Sequence, residues 1–232
     1  MRIFAVSDLH LPGNMDKAMD IFGAHWQGHW EKIKADWTAR VAPQDIVLIP
    51  GDISWAMQLQ AAVSDLQDIA TLPGRKVLIK GNHDYWWNSP ARIRDLLPAD
   101  MFILQNDALC LDDLLLCGTR GWLQPDSAGF GIEDNKIYAR ELIRLRLSLD
   151  AMRKLRKEGQ KVIAMLHYPP HNMRHDPSEI STILEEYQVN ACVYGHLHNS
   201  FPPDAAQYDI GGVTYYLTSC DYLGFQLKEI IL

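Results

Sequence analysis

Five short apolar runs in this 232-residue chain each end in a polar cluster drawn from Asp, Asn, His and Gly. The runs are Arg2 to Ser7, Asp45 to Pro50, Lys76 to Lys80, Lys161 to Leu166 and Ala191 to Tyr194. The clusters that follow them are Asp8-Leu9-His10, Gly51-Asp52, Gly81-Asn82-His83-Asp84, His167 and Gly195-His196-Leu197-His198. Aliphatic and β-branched runs this short, each beside a turn residue, read as buried parallel strands. In a parallel α/β sheet the loops leaving the carboxyl ends of the strands gather at one edge. Residues scattered from position 8 to position 198 are therefore expected to meet in space.

The rest of the chain fits between these strands. Asn14 is a candidate helix N-cap, followed by Met15, Ala18, Met19, Phe22, Trp26, Trp30, Ile33 and Trp37 at three- and four-residue steps, an amphipathic helix with breaks expected at Gly23 or Gly28. A second helix is predicted from about Trp55 to Thr71, ended by Leu72-Pro73-Gly74, and a shorter one before Pro98. From Met101 to Gly118 the pattern changes to short adjacent strands, with Asp112-Asp113 as a hairpin turn, so a second sheet is expected to start there. Helices over about Lys136 to Lys157 and Ser178 to Tyr187, and strands over Val213 to Thr218 and Phe225 to Ile230, complete the pattern. It predicts an α/β fold of two packed mixed β-sheets flanked by helices.

Length and the lack of any linker favour one domain over residues 1–232. With 47% apolar and 22% charged residues the composition is that of a folding globular chain, not a disordered one. A net charge of -7 offers no electrostatic footprint for a polyanion, which disfavours nucleic acid as partner. Cys110, Cys117, Cys192 and Cys220 show no Cys-x-x-Cys pairing and lie in or beside apolar runs, so reduced, buried thiols are expected. The first strand begins at Arg2, leaving no space for a signal peptide, and no later run could span a bilayer; the expectation is a cytoplasmic protein with no membrane association.

Carboxylate, imidazole and carboxamide donors without thiolate suit borderline divalent ions such as Mn, Fe, Co, Ni or Zn rather than a structural zinc. The seven candidates Asp8, His10, Asp52, Asn82, His167, His196 and His198 are too many for one ion with an open position. They fit two ions sharing a carboxylate, with Asp52 the natural bridge. Two such ions roughly 3.5 to 4 Å apart activate a shared hydroxide and stabilise both oxygens of an in-line displacement at phosphorus, which points to phosphoester hydrolysis without a Ser or Cys nucleophile.

The order Asp-x-His, Gly-Asp, Gly-Asn-His-Asp, His, Gly-His-x-His resembles the calcineurin-like metallophosphoesterase superfamily from position 8 to position 198. The resemblance implies a four-layer αββα sandwich, one metal on Asp8, His10, Asp52 and His198, and a second on Asp52, Asn82, His167 and His196. It further implies that His83 donates a proton to the leaving oxygen and that Asp84 orients its ring. The chain reads Gly51-Asp52-Ile53-Ser54-Trp55 where phosphoprotein phosphatases carry Gly-Asp-x-x-Asp-Arg-Gly, so it is more similar to compact bacterial phosphohydrolases. A small or medium phosphomonoester or phosphodiester is the expected substrate. The alternative is a nucleotide-sugar or dinucleotide pyrophosphohydrolase, against which His83 argues, since the UDP-sugar enzymes have arginine there. An alternative of another class is a catalytically silent metal-binding scaffold, against which the full ligand set argues.

Around these motifs, Trp55, Trp86, Trp87 and Trp122 are expected chiefly to pack, and Arg120, in Gly118-Thr119-Arg120-Gly121, is a candidate phosphate clamp. His25 with His29 is read as a helix-face pair; His171 and His175, on a loop expected near the site just after His167-Tyr168-Pro169-Pro170, are open to substrate contact, but surface exposure explains them as well. The basic stretch from Lys136 to Lys161 is read as a solvated helix face.

Overall fold

A computed structural model describes residues 1–13, 19–198 and 206–232. Eleven strands and five α-helices lie along it. The strands are β1 (Ile3–Ala5), β2 (Ile46–Pro50), β3 (Arg75–Ile79), β4 (Met101–Ile103), β5 (Ala108–Leu111), β6 (Leu114–Thr119), β7 (Lys161–Leu166), β8 (Ala191–Tyr194), β9 (Gln207–Ile210), β10 (Val213–Leu217) and β11 (Lys228–Ile230). The helices are α1 (His29–Arg40), α2 (Leu59–Ala70), α3 (Pro90–Leu96), α4 (Ile132–Leu155) and α5 (Glu179–Glu186). One sheet has the order β11-β1-β2-β3-β4 and the other β5-β6-β7-β8-β10-β9. β1 to β4 are parallel with β11 antiparallel at one edge; β6, β7, β8 and β10 are parallel with β5 and β9 antiparallel at the two edges.

The two-residue period of each strand sorts its side chains between two cores. Ile46 and Leu48 of β2 join Ile163 and Met165 of β7 in the core between the sheets. Val47 and Ile49 face Ile33 and Trp37 of α1 and Leu66 and Ile69 of α2 instead. On the far side, Val162 and Ala164 of β7 pack against Leu145, Leu149 and Met152 of α4 and Ile183 of α5. The arrangement is helix, sheet, sheet, helix, as expected. Fully burying each large aliphatic side chain contributes about 1.5–3 kcal/mol, so these three clusters dominate the stability.

Several predicted elements shift. Asn14, Met15 and Ala18 lie outside the described residues. Beyond them the expected long helix is two 3-10 turns, Met19–Phe22 and Ala24–Trp26, before α1. Gly23 and Gly28, at φ 132° and 63°, take the chain out of the right-handed region at both predicted breaks. The second helix starts at Leu59 rather than Trp55, because Trp55 is bonded through its backbone N–H to Leu11. Met101–Ile103 pairs with β3, so the second sheet starts only at Ala108. β9 is not among the expected strands, and Cys110 is exposed, unlike the other three free thiols.

The two sheets are stitched together at their carboxyl edges. Ser7 donates its backbone N–H to Thr218 at 2.7 Å and accepts from Cys220 at 3.0 Å, joining the loop after β1 to the loop after β10. His167 Nδ1 meets the Pro50 carbonyl at 2.9 Å, joining β7 to β2. This stitched edge is where all five polar clusters lie.

Candidate metal centre

The loops after β1 and β2 continue the strands' ladder: Asp8 N–H donates to Gly51, His10 to Asp52 and Leu11 to Ile53, at 3.0, 3.0 and 2.9 Å. To do so the backbone turns sharply. Asp8, His10, Asp52 and His196 have φ of 59°, 46°, 52° and 71°, four of the nine non-glycine residues with positive φ among the described residues. Each such residue costs on the order of 1–3 kcal/mol, and strain of this kind collects at sites the surrounding structure over-determines. The loops also approach too closely for side chains at Gly51, Gly81 and Gly195. A Cβ at Gly81 would overlap the Asp52 carboxylate, and one at Gly195 would overlap Ser7 and crowd Asp8 Oδ2 at 2.5 Å.

These constraints bring the predicted donors together. Ligand atoms of Asp8, His10 and His198 lie within 4.8 Å of one another, as do those of Asp8, Asp52 and His167. Asp8 is common to both groups. Asp52 stands between the imidazoles, with Oδ2 3.9 Å from His10 Nε2 and 4.0 Å from His83 Nε2, and Oδ1 3.5 Å from His167 Nε2. Asn82 Oδ1 sits 2.7 Å from His167 Nε2 and 2.9 Å from His196 Nδ1, which places the remaining two candidates on the same side as His167.

The electrostatics match a cation-binding cluster. Burial, with Asp8 and Asp84 close by, raises the Asp52 carboxyl well above its ordinary range. Burial pushes His167 down to about 4 and, together with neighbouring histidines, His196 down to about 3 and His10 well below the usual imidazole value. The rings are thus neutral near pH 7, the state in which imidazole ligates metal. His10 Nδ1 is buried with no hydrogen-bond partner among the described residues. Desolvated carboxylates, neutral imidazoles and an orphaned ring nitrogen are what a divalent ion would satisfy, so the residues fit such an ion.

Around the donors stands a supporting layer that the sequence motifs mark only in part. Asp84 is fully buried, and its carboxylate accepts from the backbone of Gly81, Ile53 and Ser54 at 2.7, 2.9 and 3.1 Å and from Trp86 Nε1 at 3.1 Å. It ties the Gly51–Ser54 loop to the Gly81–Asp84 loop, so it acts on His83 through the backbone. His83 in turn donates its backbone N–H to Asp52 Oδ1 at 2.8 Å. Asp221, which lies in no sequence motif, holds His198 Nδ1 at 3.0 Å, and this contact lifts His198 against the downward pull of burial. Such carboxylate–histidine pairs fix ring orientation and tautomer at metal sites. Trp55 stacks on His10 at 4.8 Å and tilts against His83 at 4.5 Å, while Tyr168 covers His196 at 4.1 Å.

The other flagged residues are spread more widely. Arg120 reaches His167 through its carbonyl, which accepts from His167 and Tyr168 N–H at 3.0 and 2.9 Å. Its guanidinium lies 3.6 Å from buried Glu141 and 4.5 Å over the Trp122 ring. Trp86 and Trp87 are buried, their indole N–H groups given to Asp84 and Gln105, so packing describes them. His29 leaves its expected helix-face role to bond the Leu9 carbonyl at 2.9 Å. His171, which the sequence leaves open to surface exposure, is buried. Basic residues of α4 pair outward, Arg144 with Glu141 and Arg146 with Glu186.

With this geometry described, comparison with known proteins is decisive at the level of family: the calcineurin-like phosphoesterase family model matches residues 1–200. The chain belongs to the calcineurin-like phosphoesterase family. Solved structures similar to it include protein TT1561 of Thermus thermophilus, at TM-score 0.61 and 11% identity over 99% of this chain and 98% of that one. A phosphopantetheinyl hydrolase from Mycobacterium tuberculosis aligns at TM-score 0.58 and 12% identity, covering 99% and 95% of the two chains. A protein of unknown function from Aquifex aeolicus aligns at TM-score 0.51 and 13% identity, covering 98% and 95%. At these identities the likeness is one of fold. No curated protein matches the chain in sequence. Members of this family typically bind divalent metal ions, in keeping with the two Asp/His groups. No helix among the described residues is long and apolar enough to cross a membrane.

Proposed function

We propose that this chain is a metal-dependent phosphohydrolase that cleaves the ester bond of a small or medium phosphomonoester or phosphodiester, with residues 1–232 forming one metallophosphoesterase domain. The observation that carries this reading is the meeting of Asp8, His10 and His198, and of Asp8, Asp52 and His167, each within 4.8 Å, from loops up to 190 residues apart (198 − 8). Two divalent ions drawn from Mn, Fe, Zn, Co or Ni would be held by Asp8, His10, Asp52 and His198 and by Asp52, Asn82, His167 and His196. When bound, such ions supply an activated water and stabilise charge building at phosphorus.

The chain's own residues do the rest. His83 is only part-buried, with a side chain 35% exposed at the edge of the cluster, and is suited to give a proton to the leaving oxygen. Asp52 accepts its backbone N–H, and Asp84 braces the loop that carries it through Gly81, Ile53 and Ser54. Arg120 Nε has no hydrogen-bond partner among the described residues and is the donor that would meet a phosphoryl oxygen, while Glu141 and Trp122 fix its plane. A similarly folded protein named as a phosphopantetheinyl hydrolase supports hydrolysis on this scaffold.

Hydrolysis of p-nitrophenyl phosphate and bis-p-nitrophenyl phosphate, by metal-stripped protein reconstituted with each ion, tests the reading. Metal-restored turnover that the Asp52→Asn variant lacks supports it. Absence of turnover with every ion and both esters counts against it and for a silent scaffold.

A further inference from the structure

A cavity of about 640 Å³ is lined by both His196 and His171. That volume suits an organic group rather than a bare phosphate. Leu123, Ala128, Met173 and Tyr208 supply apolar surface in its wall, beside polar Gln124, Ser127 and Asn172. Charged side chains at its rim are already matched: Arg174 Nε donates to Asp176 at 2.8 Å, and Asn172 donates to both Asp126 and Asp176. Among the described residues it therefore offers no spare cation for a second phosphate or a carboxylate.

His171 supplies a polar group in the cavity lining. Its ring is 4% exposed, its Nδ1 lies 3.1 Å from the Tyr208 hydroxyl, and its Nε2 has no hydrogen-bond partner among the described residues. The Tyr215 hydroxyl has none either, and that ring stands edge-on to His171 at 4.6 Å. Two orphaned polar atoms on neighbouring buried rings, one of them in the cavity lining, are costly unless a bound group satisfies them. Burial holds His171 down to about 4, so the ring is neutral and offers one donor or one acceptor at Nε2. A hydroxyl or amide satisfies either tautomer, whereas a carboxylate or phosphate would add an unmatched charge.

We propose that this cavity receives the organic group esterified to the substrate's phosphorus, an uncharged and largely apolar group whose hydroxyl or amide hydrogen-bonds His171 Nε2. The inference rests on the phosphohydrolase reading, because His196 belongs both to the proposed metal cluster and to the cavity wall. It makes His171 a specificity-determining residue, and it disfavours a pyrophosphate-containing substrate extended in this direction.

The test compares phosphodiesters that share one leaving group, p-nitrophenol, and differ in the other ester: methyl, thymidine 5′-yl and 3-carboxypropyl. The thymidine ester is expected to exceed the methyl ester in kcat/KM by about tenfold or more, with the carboxypropyl ester at or below the methyl ester. Ala128→Trp, at an exposed rim position, is expected to bring the thymidine-to-methyl ratio to about one by filling the cavity. His171→Phe is expected to lower the ratio by about tenfold while keeping the ring, and circular dichroism identifies either variant that misfolds. Equal turnover of all three esters by the wild type, or a ratio that both folded variants leave unchanged, overturns the proposal alone. Turnover of p-nitrophenyl phosphate but of none of these diesters overturns the proposal alone, and turnover of neither overturns the phosphohydrolase reading as well.

Discussion

Replacing Asp84 by Asn keeps the shape of the side chain and removes one acceptor and a charge, which makes it a sharp test of how the centre is held. Oδ1 takes three of the four hydrogen bonds, from Ile53, Ser54 and Trp86, and Oδ2 takes the Gly81 N–H at 2.7 Å. An Asn oriented to keep the first three turns its NH2 toward the Gly81 N–H, donor against donor. Losing a charge-assisted bond and leaving a buried N–H unsatisfied together cost about 2–3 kcal/mol, and the other three bonds weaken as the acceptor becomes neutral. Against this runs a relief, since burial already raises the Asp84 carboxyl and so makes its charge expensive. The net expectation is a loss of about 2–4 kcal/mol. Urea denaturation of the metal-free protein reads it as a lower midpoint at unchanged slope, free of any contribution from bound ions. Asp84→Ala, which deprives all four donors, is expected to lose more. A loss below about 0.5 kcal/mol for Asp84→Asn would place it with ordinary surface substitutions and refute the clamp.

Other expectations follow from the same geometry. His83→Ala retains metal content, measured by elemental analysis, while turnover of p-nitrophenyl phosphate falls by about 10²–10⁴-fold; unchanged turnover removes His83 from the reaction. Gly81→Ala forces a Cβ into Asp52, so little folded protein that binds metal is expected, and a normal yield with normal metal content contradicts the close approach of the two loops. In metal-free protein, ring-proton NMR is expected to find His198 protonating above its ordinary pKa, with His167 and His196 neutral down to about 4 and about 3. Each depressed imidazole leaves the unfolded chain binding more protons. Its contribution to stability is therefore present above about pH 6.5 and is lost as pH falls through the folded pKa. His196→Asn should flatten that limb of the stability profile, and an unaltered limb would contradict the assignment.

What the sequence makes legible is whatever local pattern dictates. The strands feeding Asp8, Asp52, Asn82, His167 and His196 are short, apolar and followed at once by polar loops, so both the strands and the shared edge can be read from the chain. The helix expected through Met19, Phe22 and Trp26, with a break at Gly23 or Gly28, is interrupted at both glycines, where the backbone turns to φ 132° and 63°, and its first part is two 3-10 turns rather than an α-helix. β11 lies beside β1 through pairing over the whole length of the chain, a partnership no local pattern encodes. Asp221 carries a usable signal outside the motifs. It follows β10, a parallel neighbour of β8, and so leaves the sheet at the same edge as the recognised clusters. His171 gives a weaker signal, its place on the loop just after the His167 motif, and reads equally well as exposed until packing with Tyr208 and Tyr215 is seen.

The five loops are proposed to assemble one two-metal centre, and counting bound ions at equilibrium decides whether they do. Calorimetric titration of stripped protein with Mn is expected to give two ions per chain, and the Asp52→Asn variant, which removes the carboxylate lying 3.9 Å from His10 and 3.5 Å from His167, is expected to weaken both. A single ion per chain in the wild type, or two ions bound equally well by the variant, would contradict the account.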